Sequence, residues 1–300
     1  MSELRYDGRV AVVTGAGHGL GRQHALELAA RGAKVVVNDL GGDRAGVGSS
    51  AGPAQDVVEE IKKNGGEAVA NPDNVATAEG AQAIIQTALD TFGKLDIVIN
   101  NAGILRDKSF KNMAPEEFDS VIAVHLRGSF LVSSAAWSHL RDQGYGRIVN
   151  TSSPAGLFGN FGQANYATAK MGLVGFTKTL AHEGKKYNVK ANAIAPVAWT
   201  RMTEDLLPAD FSEKLGVDKV TPLVAYLAHE SIEVSGEVYT VGGGRVARIL
   251  VAEGAGWGTN DALSVEAIRD NWEAINAAEP YTVYKNVGEQ MGPLIQQLSS

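Results

Sequence analysis

Three side chains in the segment TSSPAGLFGNFGQANYATAK, residues 151–170, have types and spacing suited to proton chemistry: Ser153, Tyr166 and Lys170. Tyr166 and Lys170 are one helical turn apart on a stretch whose Ala169, Met171, Leu173 and Leu180 suit a helix. Both then project from one face, with Cβ atoms roughly 5–6 Å apart. Ser153 comes earlier, after the apolar run Arg147-Ile148-Val149, which reads as a strand. A strand end and a helix face thus deliver a hydroxyl, a phenol and an ammonium to one place. A free phenol titrates near pH ~10 and is a poor base at neutral pH. A neighbouring cation favours the phenolate and lowers that value. Tyr166 is then able to take a proton from a substrate alcohol while Ser153 holds the substrate oxygen. The same spacing also occurs on ordinary amphipathic helices with a surface lysine, so the elements upstream decide between the two.

Those elements begin with an apolar strand over Arg9 to Val13, then TGAGHGLG at residues 14–21, then a helical pattern through Ala25, Leu26, Leu28 and Ala29. Strand, Gly-rich turn and helix form the context of a phosphate-binding loop, where a pyrophosphate meets the helix N-terminus. Gly15, Gly19, Leu20 and Gly21 are the candidate contacts, although the spacing departs from a strict G-x-G-x-x-G because Leu20 takes its last position. A second strand runs from Ala33 to Asn38, and Asp39 closes it. Asp39 follows Gly19 by about 20 residues, the distance at which a dinucleotide site places an acid for the adenosine ribose hydroxyls. The alternative for Asp39 is a cap or turn residue.

Residues 40–53, LGGDRAGVGSSAGP, form a Gly- and Ser-rich loop expected to be mobile, and long for a strand-to-helix connection. A helix at 54–64, a strand at 67–70, a helix at 78–92 and a strand at 95–99 follow. Asn74 and Val75 come just after the third strand, where an adenine ring has room to lie, and NNAG at 100–103 places Asn101 after the fourth. A long helix over 115–141 carries His125. A strand at 146–151, a helix at 163–186, a strand at 189–195, a helix at 221–229 and a strand at 236–241 complete the pattern. The expectation is a Rossmann-like α/β fold: a doubly wound parallel sheet of seven strands with helices on both faces. Gly15, Asp39, Asn74, Asn101 and Ser153 all fall at or just after strand ends, where ligands bind in such sheets. Met202, Leu206, Leu207, Phe211 and Leu215 read either as a lid over an apolar substrate or as plain core. Residues 1–244 form the expected dinucleotide-binding domain. Residues 245–300, with Trp257 and Trp272, form an extension packed on that domain or on a partner subunit.

Composition narrows the classes. A hydrophobic share of 44% and a charged share of 20% fit a globular chain, and a net charge of −7 without a basic run argues against nucleic acid. With 0 cysteines there is no disulfide, thiolate metal site or cysteine nucleophile. His18, His24, His139, His182 and His229 show no metal-ligand spacing, and the expectation is no metal. No apolar run reaches membrane-spanning length, the N-terminus lacks a signal-peptide core and the C-terminus is not a peroxisomal address, so a cytoplasmic protein is expected.

TGAGHGLG, Asp39, NNAG and Ser153 with Tyr166-x-x-x-Lys170 together resemble the short-chain dehydrogenase/reductase family over residues 5 to about 244. The resemblance implies NAD(P)-dependent hydride transfer, with NAD expected from Asp39, Tyr166 as acid/base, Lys170 as its electrostatic partner and ribose binder, and Ser153 on the substrate oxygen. VVVNDLGGDRAGVG, NNAGILRDKSF, VHLRGSF and GNFGQANY are similar to the dehydrogenase portion of peroxisomal multifunctional enzymes of type 2. That similarity implies a 3-hydroxyacyl-CoA or 17β-hydroxysteroid substrate and a homodimer or homotetramer. His125 stands where the wider family has an Asn that holds a relay water, and Pro196-Val197 replaces its Pro-Gly. The competing readings are an NADPH-dependent 3-oxoacyl reductase, which Asp39 opposes, and a non-catalytic dinucleotide-binding regulator, which the intact Ser153, Tyr166 and Lys170 oppose.

Overall fold

The computed structural model describes residues 3–200, 203 and 209–299. The strands β1 (Val10–Thr14), β2 (Lys34–Asn38), β3 (Glu67–Asn71) and β4 (Ile97–Asn100) alternate with the helices α1 (Gly19–Ala30), α2 (Gly52–Lys63) and α3 (Ala78–Phe92). After β4 come α4 (Pro115–Ile122), α5 (Gly128–Asp142), β5 (Gly146–Thr151), α6 (Pro154–Phe158), α7 (Ala164–Gly184), β6 (Val189–Pro196), α8 (Thr221–Ala228), β7 (Val238–Gly242) and β8 (Arg245–Ile249). The sheet order is β3-β2-β1-β4-β5-β6-β7-β8. β1 through β7 pair in parallel, with Val12 opposite Val36 on one side and Val98 on the other.

The strands are apolar at successive positions because both sheet faces are covered. Ala11, Val13, Val35 and Val37 pack with Leu28, Val57, Ile61 and Val224 of α1, α2 and α8. Val10, Val12 and Val36 point the other way, onto Ile84, Ile85, Val132, Leu140 and Leu180 of α3, α5 and α7. Each such aliphatic side chain contributes roughly 1.5–3 kcal/mol by leaving water. α3 spans the residues its pattern predicts because both ends are marked. The Thr77 hydroxyl accepts from the Gly80 amide at 3.0 Å, and Gly93 closes the helix with φ 79°.

Two elements differ from the sequence reading. Among the described residues the sheet has eight strands rather than seven. Gly243-Gly244, both at positive φ, turn the chain so that β8 lies beside β7, and a two-residue connection joins only antiparallel neighbours. The long helix over 115–141 is broken by a π-helical stretch, Ala123–Arg127, which contains His125. The strand order reverses between β1 and β4, which opens a crevice at the C-terminal ends of these strands.

The chain forms two compact units, one through Arg248 and one from Ile249. The second unit holds a short antiparallel ribbon, Glu253–Gly254 with Tyr281–Thr282, and helices at Val265–Asp270, Trp272–Ile275, Val287–Gln290 and Gly292–Leu298. Val265, Trp272, Val287 and Leu298 in it are exposed.

Candidate active site

β5 ends at Thr151, and the candidate catalytic residues begin just after it. The Ser152 hydroxyl donates to the Lys170 carbonyl at 2.7 Å, which ties the strand end to the middle of α7. Ser153 caps α6, its Oγ accepting the Ala155 amide at 3.2 Å. α7 carries Tyr166 and Lys170 one turn apart. The Lys170 ammonium donates to the Thr151 carbonyl at 2.5 Å and stands 5.4 Å from the centroid of the Tyr166 ring. His125 meets the same ring edge-on, centroids 5.1 Å apart at 86°. Its Nε2 lies 3.0 Å from the Ile104 amide and 2.8 Å from the Ile104 carbonyl. A Cβ on Gly103 would fall 2.2 Å from the imidazole Cε1, so only glycine lets His125 close onto the segment after β4. Ser153, Tyr166, Lys170 and His125, scattered in sequence, therefore meet at one place.

Their protonation follows from burial. Desolvation pushes the Tyr166 phenol up to about 12, against a hydrogen bond with Ser153 that favours the phenolate, and with Asp107 adding to the rise. Desolvation lowers the Lys170 ammonium to about 7. Desolvation, then the Lys170 charge, holds His125 well below the usual histidine range, against a hydrogen bond that the ring donates to the Ile104 carbonyl. Burial thus sets the direction for the phenol, while the Lys170 ammonium sits over the ring face and donates to Thr151.

The residues expected to meet a dinucleotide lie at the ends of β1, β2 and β4. Gly15 has φ +62°, and a Cβ there would fall 2.7 Å from the Ala102 Cα, so the turn after β1 closes directly against the NNAG segment. Asn101 fastens that contact, Nδ2 donating to the carbonyls of Thr14 and Gly15 at 3.0 Å each. α1 starts at Gly19 with no side chain capping its first amides, which leaves them to an anion. Gly21 is buried, and the Leu20 side chain packs against the apolar core, so Leu20 offers the site its backbone. Asp39 accepts the Gly17 amide on Oδ2 and the Gly41 amide on Oδ1, both at 2.7 Å. That donor set fits a dinucleotide: unblocked helix amides for the pyrophosphate and a carboxylate at the end of β2 for ribose hydroxyls.

Asn74 turns the chain after β3, Oδ1 accepting the Ala76 amide at 2.9 Å, and Val75 is buried against Gly128. Of the apolar residues read either as a lid or as core, Met202, Leu206 and Leu207 lie outside the described residues. A surface groove of about 700 Å³ lined by Trp137, Arg141, His182 and Tyr187 contains none of the candidate residues.

Sequence reading passed over the residues that hold the site together. Asn165 is fully buried: Nδ2 donates to the Arg106 carbonyl at 2.9 Å, and Oδ1 accepts the Tyr166 amide at 2.7 Å. Gln163 donates to Asp107 at 2.7 Å, and the Lys108 amide to the Gly162 carbonyl at 2.9 Å. The motif GNFGQANY was visible, but nothing in it says that its amides clamp the segment after β4. Thr14, whose hydroxyl accepts the amides of Asn101 and Ala102, gave no signal either.

Comparison with known proteins agrees with this geometry. The short chain dehydrogenase family model matches residues 9–209. The chain is 51% identical to mouse peroxisomal multifunctional enzyme type 2 over 96% of its own length, and it spans 40% of that enzyme. A hydroxyacyl-CoA dehydrogenase of Mycobacterium tuberculosis is 43% identical, with 83% of this chain and 84% of the relative covered. The structure of full-length peroxisomal multifunctional enzyme type 2 from Drosophila melanogaster superposes with a TM-score of 0.84 at 38% identity, covering 99% of this chain and 50% of that one. With its sheet order, its Gly-rich turn and its Ser153–Tyr166–Lys170 cluster, the chain belongs to the short-chain dehydrogenase/reductase family, an enzyme family of nicotinamide-dependent oxidoreductases.

Proposed function

We propose that this enzyme oxidises the hydroxyl of a (3R)-3-hydroxyacyl-CoA, of fatty or sterol side-chain type, or of a hydroxysteroid, with NAD as hydride acceptor. The observation that carries the reading is the buried convergence of Ser153, Tyr166, Lys170 and His125 beside a crevice whose acid is Asp39. A nicotinamide dinucleotide would supply the hydride acceptor, and the amides at the start of α1, Asp39 and Lys170 would hold it. Ser153 donates to the substrate oxygen, and the Tyr166 phenolate takes the hydroxyl proton as the carbonyl forms. A protonated Lys170 stabilises that phenolate, and its ammonium and the ribose-side Asp39 hold the dinucleotide. Alcohol and oxidised nicotinamide thus give ketone, reduced nicotinamide and one proton, which leaves through Tyr166.

Three features support the finer points. Asp39 opposes the extra phosphate of NADP by charge. Likeness to the multifunctional enzymes and to a hydroxyacyl-CoA dehydrogenase favours a thioester. Exposed apolar side chains after Ile249, including Trp272 and Leu298, favour a homodimer or homotetramer. No helix among the described residues is long and apolar enough to cross a membrane. The alternative is the 3-oxoacyl reductase direction with NADPH. Steady-state kinetics with 3-hydroxyacyl-CoA thioesters beside a free 17β-hydroxysteroid, each with NAD and NADP, tests the reading. A kcat/KM for the free steroid far above that of every thioester leaves only the hydroxysteroid half standing, and a preference for NADP removes the catabolic reading.

A further inference from the structure

The loop after β2 is not the open coil its composition suggests. Asp43 closes it on itself: its amide donates to the Val47 carbonyl, and its carboxylate accepts the amides of Ala45 and Val47, all at 2.9 Å. The Ser50 amide donates to the Leu40 carbonyl at 2.9 Å and seals the base. The result is a compact surface loop held by its own polar groups. Its tip reaches from the end of β2 to the segment after β4. The Leu105 amide donates to the Arg44 carbonyl at 3.0 Å, and the Arg106 Nε to the Ala45 carbonyl at 3.1 Å. Gly46 has φ +81°, and a Cβ on it would lie 2.9 Å from the Ile104 side chain, so this approach needs a glycine.

The segment grasped by the strap is the one that holds the catalytic groups. Ile104 contacts His125 through its backbone. The Arg106 carbonyl accepts from Asn165, which in turn accepts the Tyr166 amide. Arg106 therefore faces both ways: its guanidinium grips the cofactor-side strap, and its carbonyl grips the start of α7. We propose that Arg106 is a positioning residue that couples seating of the dinucleotide beside Asp39 to the placement of Tyr166. The proposal rests on the reading that the dinucleotide lies beside Asp39 and that Tyr166 carries the proton. Coupling of this kind is reciprocal: whatever the dinucleotide does to α7 through Arg106, a substrate on Tyr166 does to the dinucleotide.

The test uses the full chain and its variants Arg106→Met, which keeps the stem and loses the donor, and Arg106→Lys, which keeps a donor for Ala45. Dinucleotide affinity is read by fluorescence titration with NAD, and amide hydrogen exchange is followed over 40–50 and 160–168 with and without NAD. In the wild type, NAD slows exchange in both segments. Arg106→Met keeps protection at 40–50 and binds NAD within about twofold of wild type, but it loses protection at 160–168 and about tenfold in kcat through misplacement of the reacting group. Arg106→Lys recovers part of both losses. The proposal falls if Arg106→Met leaves kcat and the 160–168 response unchanged, or if both segments and NAD affinity are lost together without rescue by lysine, since that marks a merely structural arginine. Tyr166→Phe separates the underlying reading: it loses turnover while keeping NAD-induced protection in both segments. An active Tyr166→Phe enzyme sinks the proton assignment and leaves the exchange result on Arg106 to be judged by itself.

Discussion

His125 stands edge-on to Tyr166 with ring centroids 5.1 Å apart, and its buried Nδ1 has no hydrogen-bond partner among the described residues. Nε2 serves Ile104 as acceptor or donor, so either tautomer leaves Nδ1 unused by Ile104. A buried polar atom without a partner costs about 1–3 kcal/mol unless a function or a water uses it. His125→Asn, which still offers an amide to a relay water, is expected to retain most of kcat, and His125→Leu to lose about tenfold or more. Equal activity in the two variants makes the ring a packing element only.

At the opposite end of the sheet, Arg147 is 1% exposed and donates to four backbone carbonyls, those of His229, Gly146, Asn188 and Glu230. The guanidiniums of Arg147 and Arg9 lie 4.3 Å and 3.7 Å from the Tyr145 ring centroid. Arg147→Met strips buried acceptors of their donor and is expected to cost about 2 kcal/mol in urea unfolding, with kcat unchanged. A midpoint that stays or rises shows that relief from burying a cation outweighs the lost hydrogen bonds.

The alternation of strands and helices was legible because valine-rich runs buried on both faces leave an unmistakable pattern, and because Thr77 and Gly93 mark the ends of α3. The π-helical stretch around His125 was not: its extra residue is set by contact with Gly103 and Ile104, which are distant in sequence. β8 was hidden because RVARI is largely exposed and follows a Gly-Gly pair that reads as an end. The meeting of Ser153, Tyr166 and Lys170 was legible from their spacing taken together with the strand–turn–helix elements upstream. The upward shift of the phenol was not, because spacing names the neighbouring cation but says nothing of how deeply the ring is buried. The strap at 40–50 looked like slack chain for a similar reason: its partners Leu105 and Arg106 lie beyond two intervening strands.

Asp39 spends both carboxylate oxygens on backbone amides, those of Gly17 and Gly41, and so shapes the Gly-rich turn as well as presenting its charge. Asp39→Ala removes both effects. NAD affinity is expected to fall about tenfold, a loss of about 1.4 kcal/mol, while NADP is affected less because a repulsive charge is removed. Fluorescence titration with both dinucleotides reads the ratio, and a wild-type enzyme that prefers NADP overturns the assignment.

Tyr166→Phe keeps the ring that packs on His125 and loses only the proton carrier. Turnover is expected to drop by about 10²–10⁴ with NAD affinity nearly intact. A variant that keeps more than a small fraction of wild-type kcat at saturating substrate shows that another group takes the proton.

Lys170 gives a prediction that needs no substrate. Burial lowers its ammonium from 10.5 to about 7, so between those values the unfolded chain binds a proton that the folded chain does not. Stability then rises with pH across that window, by about 1.4 kcal/mol per unit for a single group, and the cost of charging the buried lysine is fully present below about pH 7. Tyr166 has the opposite sign. Its phenol is raised from 10.0 to about 12, so the folded chain keeps a proton that the unfolded one loses, and stability declines as pH climbs through that higher range. The two windows overlap only near pH 10, and Lys170 governs the lower one. Lys170→Met removes its titration while keeping a long apolar stem. Urea unfolding at a series of pH values from 7 to 9.5 is therefore expected to show a steeper rise in the wild type than in the variant, since every other titrating group is common to both. Parallel slopes mean that Lys170 keeps its charge in the folded chain across this range, and that the ammonium is present at neutral pH without the cost assigned to it here.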